Sequence, residues 1–194
     1  MITVNGLTKR YGEKVIFENL GFELEENLCT AVTGGSGIGK TTLLRCISGL
    51  EKPDSGSVSG LDGKRLSYVF QDNRLIPGIS ALDNILCVAP DKDRALYCLE
   101  RSGLADCARK RAGELSGGMQ RRLAVARALA YGGNVYFLDE PLRELDEETE
   151  RSMLAFIKDE IYKKTAVLIT HKRSHADFLA DRELHFYGSP MRLG

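Results

Sequence analysis

The chain has 194 residues, of which 43% are hydrophobic and 28% are charged, so it is long enough for one domain with a substantial core. Lysine plus arginine and aspartate plus glutamate each total 27, and this neutral balance argues against a nucleic-acid partner. No apolar run approaches the roughly 18–20 residues of a membrane-spanning helix, and residues 1–5 lack the pattern of a signal peptide. Five cysteines without C-x-x-C spacing indicate reduced thiols, so we expect a cytoplasmic protein.

The first part of the chain is dominated by extended segments. Apolar or alternating runs predict strands at 2–4, 15–17, 22–24, 28–33 and 67–70. Gly6, Gly12 and Gly21 separate the first three runs. Apolar residues at helical spacing predict a helix over 40–50, and a Pro-Asp-Ser-Gly sequence predicts a turn at 53–56.

The second part of the chain is dominated by helical periodicity. Good helix formers with apolar spacing predict helices at 81–88, 94–101, 117–131 and 147–162. Strands are predicted at 135–138 and 166–170. Because no strand is predicted between Gln71 and Leu115, we expect a helical insert there. The alternation of strands and helices elsewhere predicts an α/β fold with a mainly parallel sheet.

A glycine-rich segment at 34–41 matches the phosphate-binding pattern G-x-x-x-x-G-K-[ST] and lies between a predicted strand and a predicted helix. Its glycines let backbone N–H groups face a phosphate chain, and the helix N-terminus adds a positive dipole. Lys40 is expected to reach the β- and γ-phosphates, and the Thr41 hydroxyl to bind Mg²⁺. The predicted nucleotide-binding residues are Gly34, Gly35, Ser36, Gly37, Ile38, Gly39, Lys40, Thr41 and Thr42.

Two adjacent carboxylates, Asp139 and Glu140, follow the apolar strand predicted at 135–138. Acids at the end of a buried strand are costly unless they have a partner or a chemical role. In P-loop enzymes an aspartate in this position completes the Mg²⁺ coordination, which assigns Asp139 as a metal ligand. Glu140 has two interpretations, a catalytic residue or a helix cap and surface acid beside Pro141.

The segment at 115–120 has the sequence LSGGMQ and opens the helix predicted at 117–131. Ser116 can cap that helix, and Gly117 and Gly118 leave its N-terminus accessible to a ligand. The pattern therefore allows two interpretations. It is either a capped helix with a flexible start or a second phosphate-binding site.

The order of these motifs, a phosphate loop, then LSGG, then a strand that ends in Asp-Glu, resembles the ATP-binding subunits of ABC transporters. The resemblance extends from Tyr11 to about Arg182. It implies a P-loop NTPase core, an N-terminal antiparallel β subdomain and an inserted helical subdomain. A single domain, 1–194, would then consist of 1–71 and 132–194 with a helical subdomain at 72–131. The implied activity is Mg²⁺-dependent ATP hydrolysis coupled to transport.

The resemblance also implies roles for single residues. Tyr11 is expected to stack on adenine, Gln71 to contact Mg²⁺ and water, and His171 to touch the γ-phosphate. Glu140 becomes the general base. A homodimer is implied on ATP binding, with a second copy's ATP contacted by Ser116, Gly117 and Gly118.

Two further features of the sequence are a pair of histidines and an unusual loop after Pro141. His171 and His175 are four residues apart and could share a metal in a helix, although no third ligand is evident. The loop after Pro141 has Leu142, Arg143 and Glu144 where the family commonly has threonine, serine and alanine. A charged pair therefore lies where the two copies are expected to meet.

The runs at 43–56 and 68–77 resemble importer subunits of the nitrate, sulfonate and taurine type. The resemblance implies a position on the inner face of the cell membrane, a permease as partner and, indirectly, an extracytoplasmic solute-binding protein. Apolar residues of the helical insert are expected either to dock on the permease or to form the insert's own core: Ile76, Ile79, Leu82 and Ile85. The alternatives are a soluble ABC ATPase without transport and a subunit that performs mechanical work on a membrane complex.

Overall fold

The computed structural model describes residues 1–194, which form nine strands and six α-helices. The strands are β1 (Ile2–Tyr11), β2 (Lys14–Leu24), β3 (Cys29–Gly34), β4 (Ser55–Ser59), β5 (Leu66–Val69), β6 (Val135–Asp139), β7 (Thr165–Ile169), β8 (Arg182–Tyr187) and β9 (Arg192–Leu193). The helices are α1 (Lys40–Ile47), α2 (Ala81–Leu86), α3 (Lys92–Arg101), α4 (Gly117–Tyr131), α5 (Glu147–Ile161) and α6 (Arg173–Leu179).

The strands form two sheets. An antiparallel sheet has the order β2-β1-β4, and a six-stranded sheet has the order β5-β6-β7-β3-β8-β9. Every neighbouring pair of the larger sheet is parallel except β8 with β9. The predicted α/β class with a mainly parallel sheet and an N-terminal antiparallel sheet is therefore confirmed.

Strand β6 shows why the centre of the larger sheet consists of continuous apolar runs. Tyr136 and Leu138 pack into one hydrophobic core with the helical segment and α5, whereas Val135 and Phe137 pack into a second core with α1 and the antiparallel sheet. A strand covered on both faces needs apolar residues at every position. The helical insert thus shares its core with one face of the sheet.

The N-terminal strands are much longer than the sequence analysis predicted. Gly6 and Gly21 lie inside β1 and β2 rather than between strands, and only Gly12 lies in the turn that joins them. The register shifts across Gly6 in both ladders of β1, with β2 and with β4, and both ladders continue because Gly6 adopts a positive φ of 61° without a Cβ penalty. The sequence pattern predicts strand breaks at Gly6 and Gly21, whereas the structure has a continuous strand at each position.

The predicted turn at 53–56 overlaps strand β4, which sequence analysis missed. Its sequence, SGSVS, has one apolar residue and mostly exposed side chains, so periodicity gives little signal. Backbone pairing with β1 forms the strand, with Val58 opposite Val4. The short helix α6 and the two-residue strand β9 were not predicted either.

The region between β5 and β6 contains no strand, as predicted, and holds α2, α3 and α4. Side chains of Ser80, Asp91 and Ser116 cap these three helices by accepting hydrogen bonds from backbone N–H groups. Ile85 is fully buried and Leu82 packs against the core, so these residues form the insert's own interior. Only Ile76 remains largely exposed among the four apolar residues. No helix has the length and apolar character required to cross a bilayer.

Candidate functional site

Four neighbouring strands place the predicted residues at one edge of the sheet. β5, β6, β7 and β3 are adjacent and parallel, so their carboxyl ends meet at that edge. The segments that follow these ends carry Gln71, Asp139 with Glu140, His171 and the glycine-rich loop. In open α/β sheets, ligands bind in the crevice at the carboxyl ends of the strands.

The loop between β3 and α1 requires glycine at both of its ends. A Cβ at Gly34, whose φ is 141°, would lie 2.2 Å from the carbonyl oxygen of Phe186. A Cβ at Gly39, whose φ is 117°, would lie 2.4 Å from Cγ2 of Ile16. Both positions combine a left-handed backbone with a close neighbour, which only glycine satisfies. Gly39 directly precedes Lys40, the first residue of α1.

Lys40 curls back over the loop that precedes it. Its Nζ donates hydrogen bonds to the carbonyl oxygens of Gly34 at 2.9 Å and Gly35 at 2.6 Å. The side chain is buried, and burial lowers the pKa of Lys40, an effect opposed by the nearby Glu140 and Asp139 carboxylates. The ammonium group therefore lies inside the loop, where a bound phosphate chain would provide its counter-charge.

Thr41 and Asp139 meet across the sheet edge. Thr41 Oγ1 donates a hydrogen bond of 3.1 Å to Asp139 Oδ1. Asp139 is buried, and burial raises the pKa of its carboxyl group, while the hydrogen bond from Thr41 opposes that rise. A hydroxyl and a carboxylate oxygen brought together in this way are the oxygen ligands that Mg²⁺ prefers.

Glu140 adopts a left-handed conformation, with φ of 50°, immediately after β6. Its N–H donates to the carbonyl oxygen of Ile169 over 3.0 Å, which keeps the residue in line with β7. Oε1 of Glu140 is buried and has no hydrogen bond, although Nε2 of His171 lies 3.2 Å away. We interpret this pair as a close approach without hydrogen-bond direction. A buried carboxylate oxygen without a hydrogen-bond donor is free to accept a proton or a hydrogen bond from a water molecule.

A cavity of about 350 Å³ brings most of the predicted residues together. Gln71 and His171, both exposed, lie on its wall with Glu140. The full lining is Ser36, Gly37, Gly39, Lys40, Thr41, Thr42, Gln71, Asp139, Glu140, Ile169 and His171. Ten of these eleven residues are not hydrophobic, which suits a charged ligand.

Three groups of predicted residues are absent from this lining, and the first consists of Gly34, Gly35 and Ile38 of the glycine-rich loop itself. Tyr11 is exposed at the end of β1, and its hydroxyl donates to the carboxylate of Glu51. Ser116 caps α4 by accepting a hydrogen bond of 3.3 Å from the N–H of Met119. Ser116 and Gly117 are exposed and Gly118 is partly exposed, so all three are accessible to a ligand that is bound outside the cavity described above.

Arg121 is a residue whose contacts at the cavity the sequence analysis missed. Its guanidinium is buried beneath the cavity and bonds to the segments after β5 and β6. The sequence offers one signal, an arginine on a helix face that otherwise carries apolar residues. Its acceptors lie 18 to 51 residues away in the chain, so spacing alone could not have identified them.

The loop that follows Glu140 contains the unexpected residues at 142–144. Leu142 is buried in the core shared with the helical insert. Arg143 and Glu144 are exposed and form an ion pair with each other, with 3.0 Å between Nε and Oε1. The charged pair therefore lies on the surface beside Gly118, whose Cβ position is 3.9 Å from the carbonyl oxygen of Glu144.

The two histidines at 171 and 175 do not form a metal site. His175 is buried in α6, where Nδ1 lies 3.2 Å from Thr170 Oγ1 and Nε2 lies 2.8 Å from Glu150 Oε1. His171 precedes the helix and faces Glu140 instead. No cluster of three or more histidine, cysteine, aspartate or glutamate side chains is present.

Comparison with known sequences gives matches to ABC transporter proteins. The family described as "ABC transporter" matches residues 17–143. The phosphonates import ATP-binding protein PhnC 1 of Natronomonas pharaonis is 37% identical over 209 residues, which cover 95% of this chain and 88% of that protein. The aliphatic sulfonates import ATP-binding protein SsuB of Burkholderia ambifaria is 37% identical over 191 residues, covering 94% of this chain and 60% of that protein.

Solved structures agree with the sequence relatives. The dimeric structure of MJ0796, a bacterial ABC transporter cassette, superposes with a TM-score of 0.88 at 30% identity and covers 96% of this chain and 94% of that one. A dimeric post-hydrolysis state of the same cassette, bound to ADP and Pi, has a TM-score of 0.86 at 28% identity and covers 100% of this chain and 98% of that one.

Proposed function

Because this chain belongs to the ABC transporter family as an ATP-binding and ATP-hydrolysing subunit, we propose that it powers an importer of small organic oxyanions. The proposal rests on one observation, the convergence of Lys40, Thr41, Asp139 and Glu140 around a polar cavity at the sheet edge. The solute class is taken from the relatives, whose names specify phosphonates and aliphatic sulfonates.

Lys40 and the glycine-rich loop bind the phosphate chain in this proposal. The Lys40 ammonium already donates to two loop carbonyl groups, so the phosphates meet a cation whose position is fixed before binding. Backbone N–H groups at the start of α1 add donors at the positive end of the helix dipole. Outside the cavity, Tyr11 stacks on the adenine ring from the end of β1.

Mg²⁺ fits the oxygen atoms that converge opposite Lys40. Thr41 and Asp139 would bind it, with Gln71 as a further contact from the segment after β5. When bound with ATP, the ion neutralises phosphate charge and polarises the phosphoryl oxygens. The lack of a larger carboxylate cluster agrees with an ion that takes its remaining ligands from phosphate and water.

Glu140 acts as the general base for the attacking water molecule. Its buried and unsatisfied Oε1 can accept the proton, and the turn at φ 50° directs the side chain into the cavity. His171, whose Nε2 lies 3.2 Å from this oxygen, contacts the γ-phosphate in this proposal. Both residues come from adjacent strands, so their separation is set by the sheet.

Two copies of the chain form the hydrolytic unit. Ser116, Gly117 and Gly118 are absent from the lining of the chain's own cavity, and they form an accessible helix start. We assign them to ATP held by a second copy, which makes the assembly a closed twofold dimer. The dimeric cassette that superposes on this chain supports the assignment.

A permease docks beside Gln71 in this proposal, on the inner face of the membrane. A groove of about 330 Å³ between the sheet and the helical segment has mainly apolar walls. Leu50, Phe70 and Val88 are among its lining residues, and Gln71 directly follows Phe70. Movement of a segment bound there would reach the nucleotide cavity through Gln71. A solute-binding protein would act on the permease rather than on this chain.

Gene deletion in the source organism tests the proposal. Loss of growth on methylphosphonate as phosphorus source, or on ethanesulfonate as sulfur source, restored by the wild-type gene but not by Glu140→Gln, is the expected result. Co-purification from membranes tests the groove, with loss of an integral protein for Leu50→Asp and retention for Leu96→Asp on the exposed side of α3. Recovery of ribosomes or DNA, with no growth defect, would instead support a soluble ABC ATPase.

A further inference from the structure

Arg121 lies in α4, one turn after the exposed start of that helix, and only 4% of its surface is accessible. Its three guanidinium nitrogens donate to six oxygen atoms that come from two separate segments of the chain. The acceptors are the carbonyl oxygens of Phe70 (2.6 Å), Gln71 (3.2 Å), Asp139 (3.0 Å), Glu140 (2.6 Å) and Pro141 (2.9 Å), and Oδ1 of Asn73 (3.3 Å).

These contacts occupy carbonyl groups that the backbone leaves without partners. The oxygens of Phe70, Gln71 and Pro141 accept no hydrogen bond from any backbone N–H group. A buried carbonyl group without a donor is strongly disfavoured, so Arg121 determines the path of both segments. The planar fork of a guanidinium can bridge several acceptors at once, whereas an ammonium group cannot reproduce its geometry.

Both bridged segments carry side chains of the nucleotide cavity. The first places Gln71 on the cavity wall, and the second places Asp139 and Glu140 there. Arg121 therefore joins the backbone of the general base, the backbone of Gln71 and the helix that begins at Ser116. A shift of α4 would be transmitted to Glu140 through the 2.6 Å hydrogen bond to its carbonyl oxygen.

The neighbouring arginine shows that this arrangement is not a general property of α4. Arg122 donates to the carbonyl oxygens of Ser102 and Gly103, within the helical segment and away from the cavity. The two residues have the same side chain and consecutive positions in one helix. They differ in the segments that they join, which makes Arg122 a matched control.

The guanidinium group of Arg121 remains protonated at neutral pH. Burial, together with the nearby charge of Arg143, lowers the pKa of Arg121 to about 10, although Asp139 and Glu140 oppose the decrease. A positive charge therefore persists beneath the two carboxylates of the cavity.

We infer that Arg121 is a positioning residue for ATP hydrolysis, fixing Gln71 and Glu140 relative to the helix that begins at Ser116. The inference rests on the proposed roles of those residues in the site. Arg121 is not among the residues that line the nucleotide cavity, so we expect it to affect turnover and not nucleotide affinity. Lys40 and the glycine-rich loop bind the phosphates independently of these contacts.

The test compares Arg121→Lys with Arg122→Lys in ATPase assays and in Mg·ATP binding by the monomer, with thermal unfolding of each variant as a check of folding. We expect Arg121→Lys to lower kcat at least tenfold while KM and the Kd for ATP change less than twofold. Arg122→Lys should keep kcat within twofold at a comparable melting temperature. Wild-type kcat in Arg121→Lys, or equal losses in both variants, would overturn the inference.

A second variant covers the case in which Arg121→Lys does not fold. Arg121→Gln keeps a donor of similar planarity on a shorter chain, and the same split between kcat and KM is expected. If this variant binds ATP and turns over like the wild type, Arg121 has no positioning role. An inactive wild-type protein would contradict the proposed ATPase activity itself, and this outcome is distinct from the failure of the Arg121 variants alone.

Discussion

Thr41 and Asp139 are 98 residues apart in the chain, yet Thr41 Oγ1 donates a hydrogen bond of 3.1 Å to Asp139 Oδ1. This contact joins the first turn of α1 to the carboxyl end of β6 and sets the separation between the phosphate loop and the carboxylates. Lys40 and Glu140, which are the neighbours of Thr41 and Asp139 in the chain, both line the cavity. Their different chemical roles predict different effects of substitution.

Lys40→Ala should remove most ATP binding without unfolding the protein. The lysine is expected to donate charge-assisted hydrogen bonds to phosphate, worth about 1.5–3 kcal/mol, or roughly 10- to 100-fold in Kd. Calorimetric titration with Mg·ATP measures this change, and Lys92→Ala at the exposed start of α3 is the control. Unchanged affinity in Lys40→Ala would contradict the assignment of this loop as the phosphate site.

Glu140→Gln should keep ATP affinity and lose turnover. The amide preserves the shape of the side chain but cannot take a proton, and removal of a general base lowers kcat by about 10²–10⁴-fold. Steady-state phosphate release measures the loss, with Glu148→Gln on the exposed face of α5 as the control. The assignment of Glu140 as the base fails if the variant turns over at the wild-type rate.

Glu150 should make stability depend on acid pH. Burial acts to raise the pKa of Glu150, but its contacts with Lys172 and His175 prevail and hold the pKa below the usual 4.5. A carboxyl group with a lowered folded-state pKa stabilises the protein above pH 4.5, and this contribution is lost as the pH falls through the folded value. Glu150 lies on α5, and both partners follow His171, so the network fixes the loop that holds this residue.

The measurement is the free energy of unfolding in denaturant from pH 7 to pH 3. Glu150→Gln should lose about 1.5–3 kcal/mol at pH 7, because hydrogen bonds to charged groups have this magnitude. Its stability should then fall less steeply below pH 4.5 than that of the wild type. Glu148→Gln should follow the wild-type curve, and identical curves for all three proteins would show that the network does not stabilise the fold.

Much of the site could be predicted because its residues follow strands buried on both faces. Continuous apolar runs identify such strands, and the motif after each run then identifies the shared edge of the sheet. Thr41 and Asp139 were assigned from such motifs, whereas His171 was assigned from the resemblance to ABC ATP-binding subunits. All three line one cavity in the structure.

Strand β4 and Arg121 could not be predicted because their structure depends on partners far along the chain. β4 has too few apolar residues for a periodic signal and forms by pairing with β1. Arg121 lies among the apolar residues of α4, and five of its six acceptors are backbone atoms, which have no sequence signature. Hydrogen bonds that pair backbone groups with partners far along the chain depend on the tertiary structure, so local pattern and composition cannot predict them.

ATP should join two copies of the chain when hydrolysis is blocked. Ser116 caps a helix whose exposed start is not part of the chain's own cavity lining, and we expect this start to contact the γ-phosphate of ATP held by a second copy. Glu140→Gln is therefore expected to run as a dimer with ATP and as a monomer with ADP in size-exclusion chromatography with light scattering.

Adding Ser116→Arg should abolish the dimer, because the larger side chain blocks the helix start, and leave ATP binding by the monomer intact. Ser152→Arg, on the exposed face of α5, should leave the dimer unchanged. A single monomeric species with ATP in the Glu140→Gln variant would contradict the shared site. Arg143→Ser with Glu144→Ala would then test whether the charged pair beside Gly118 keeps the two copies apart.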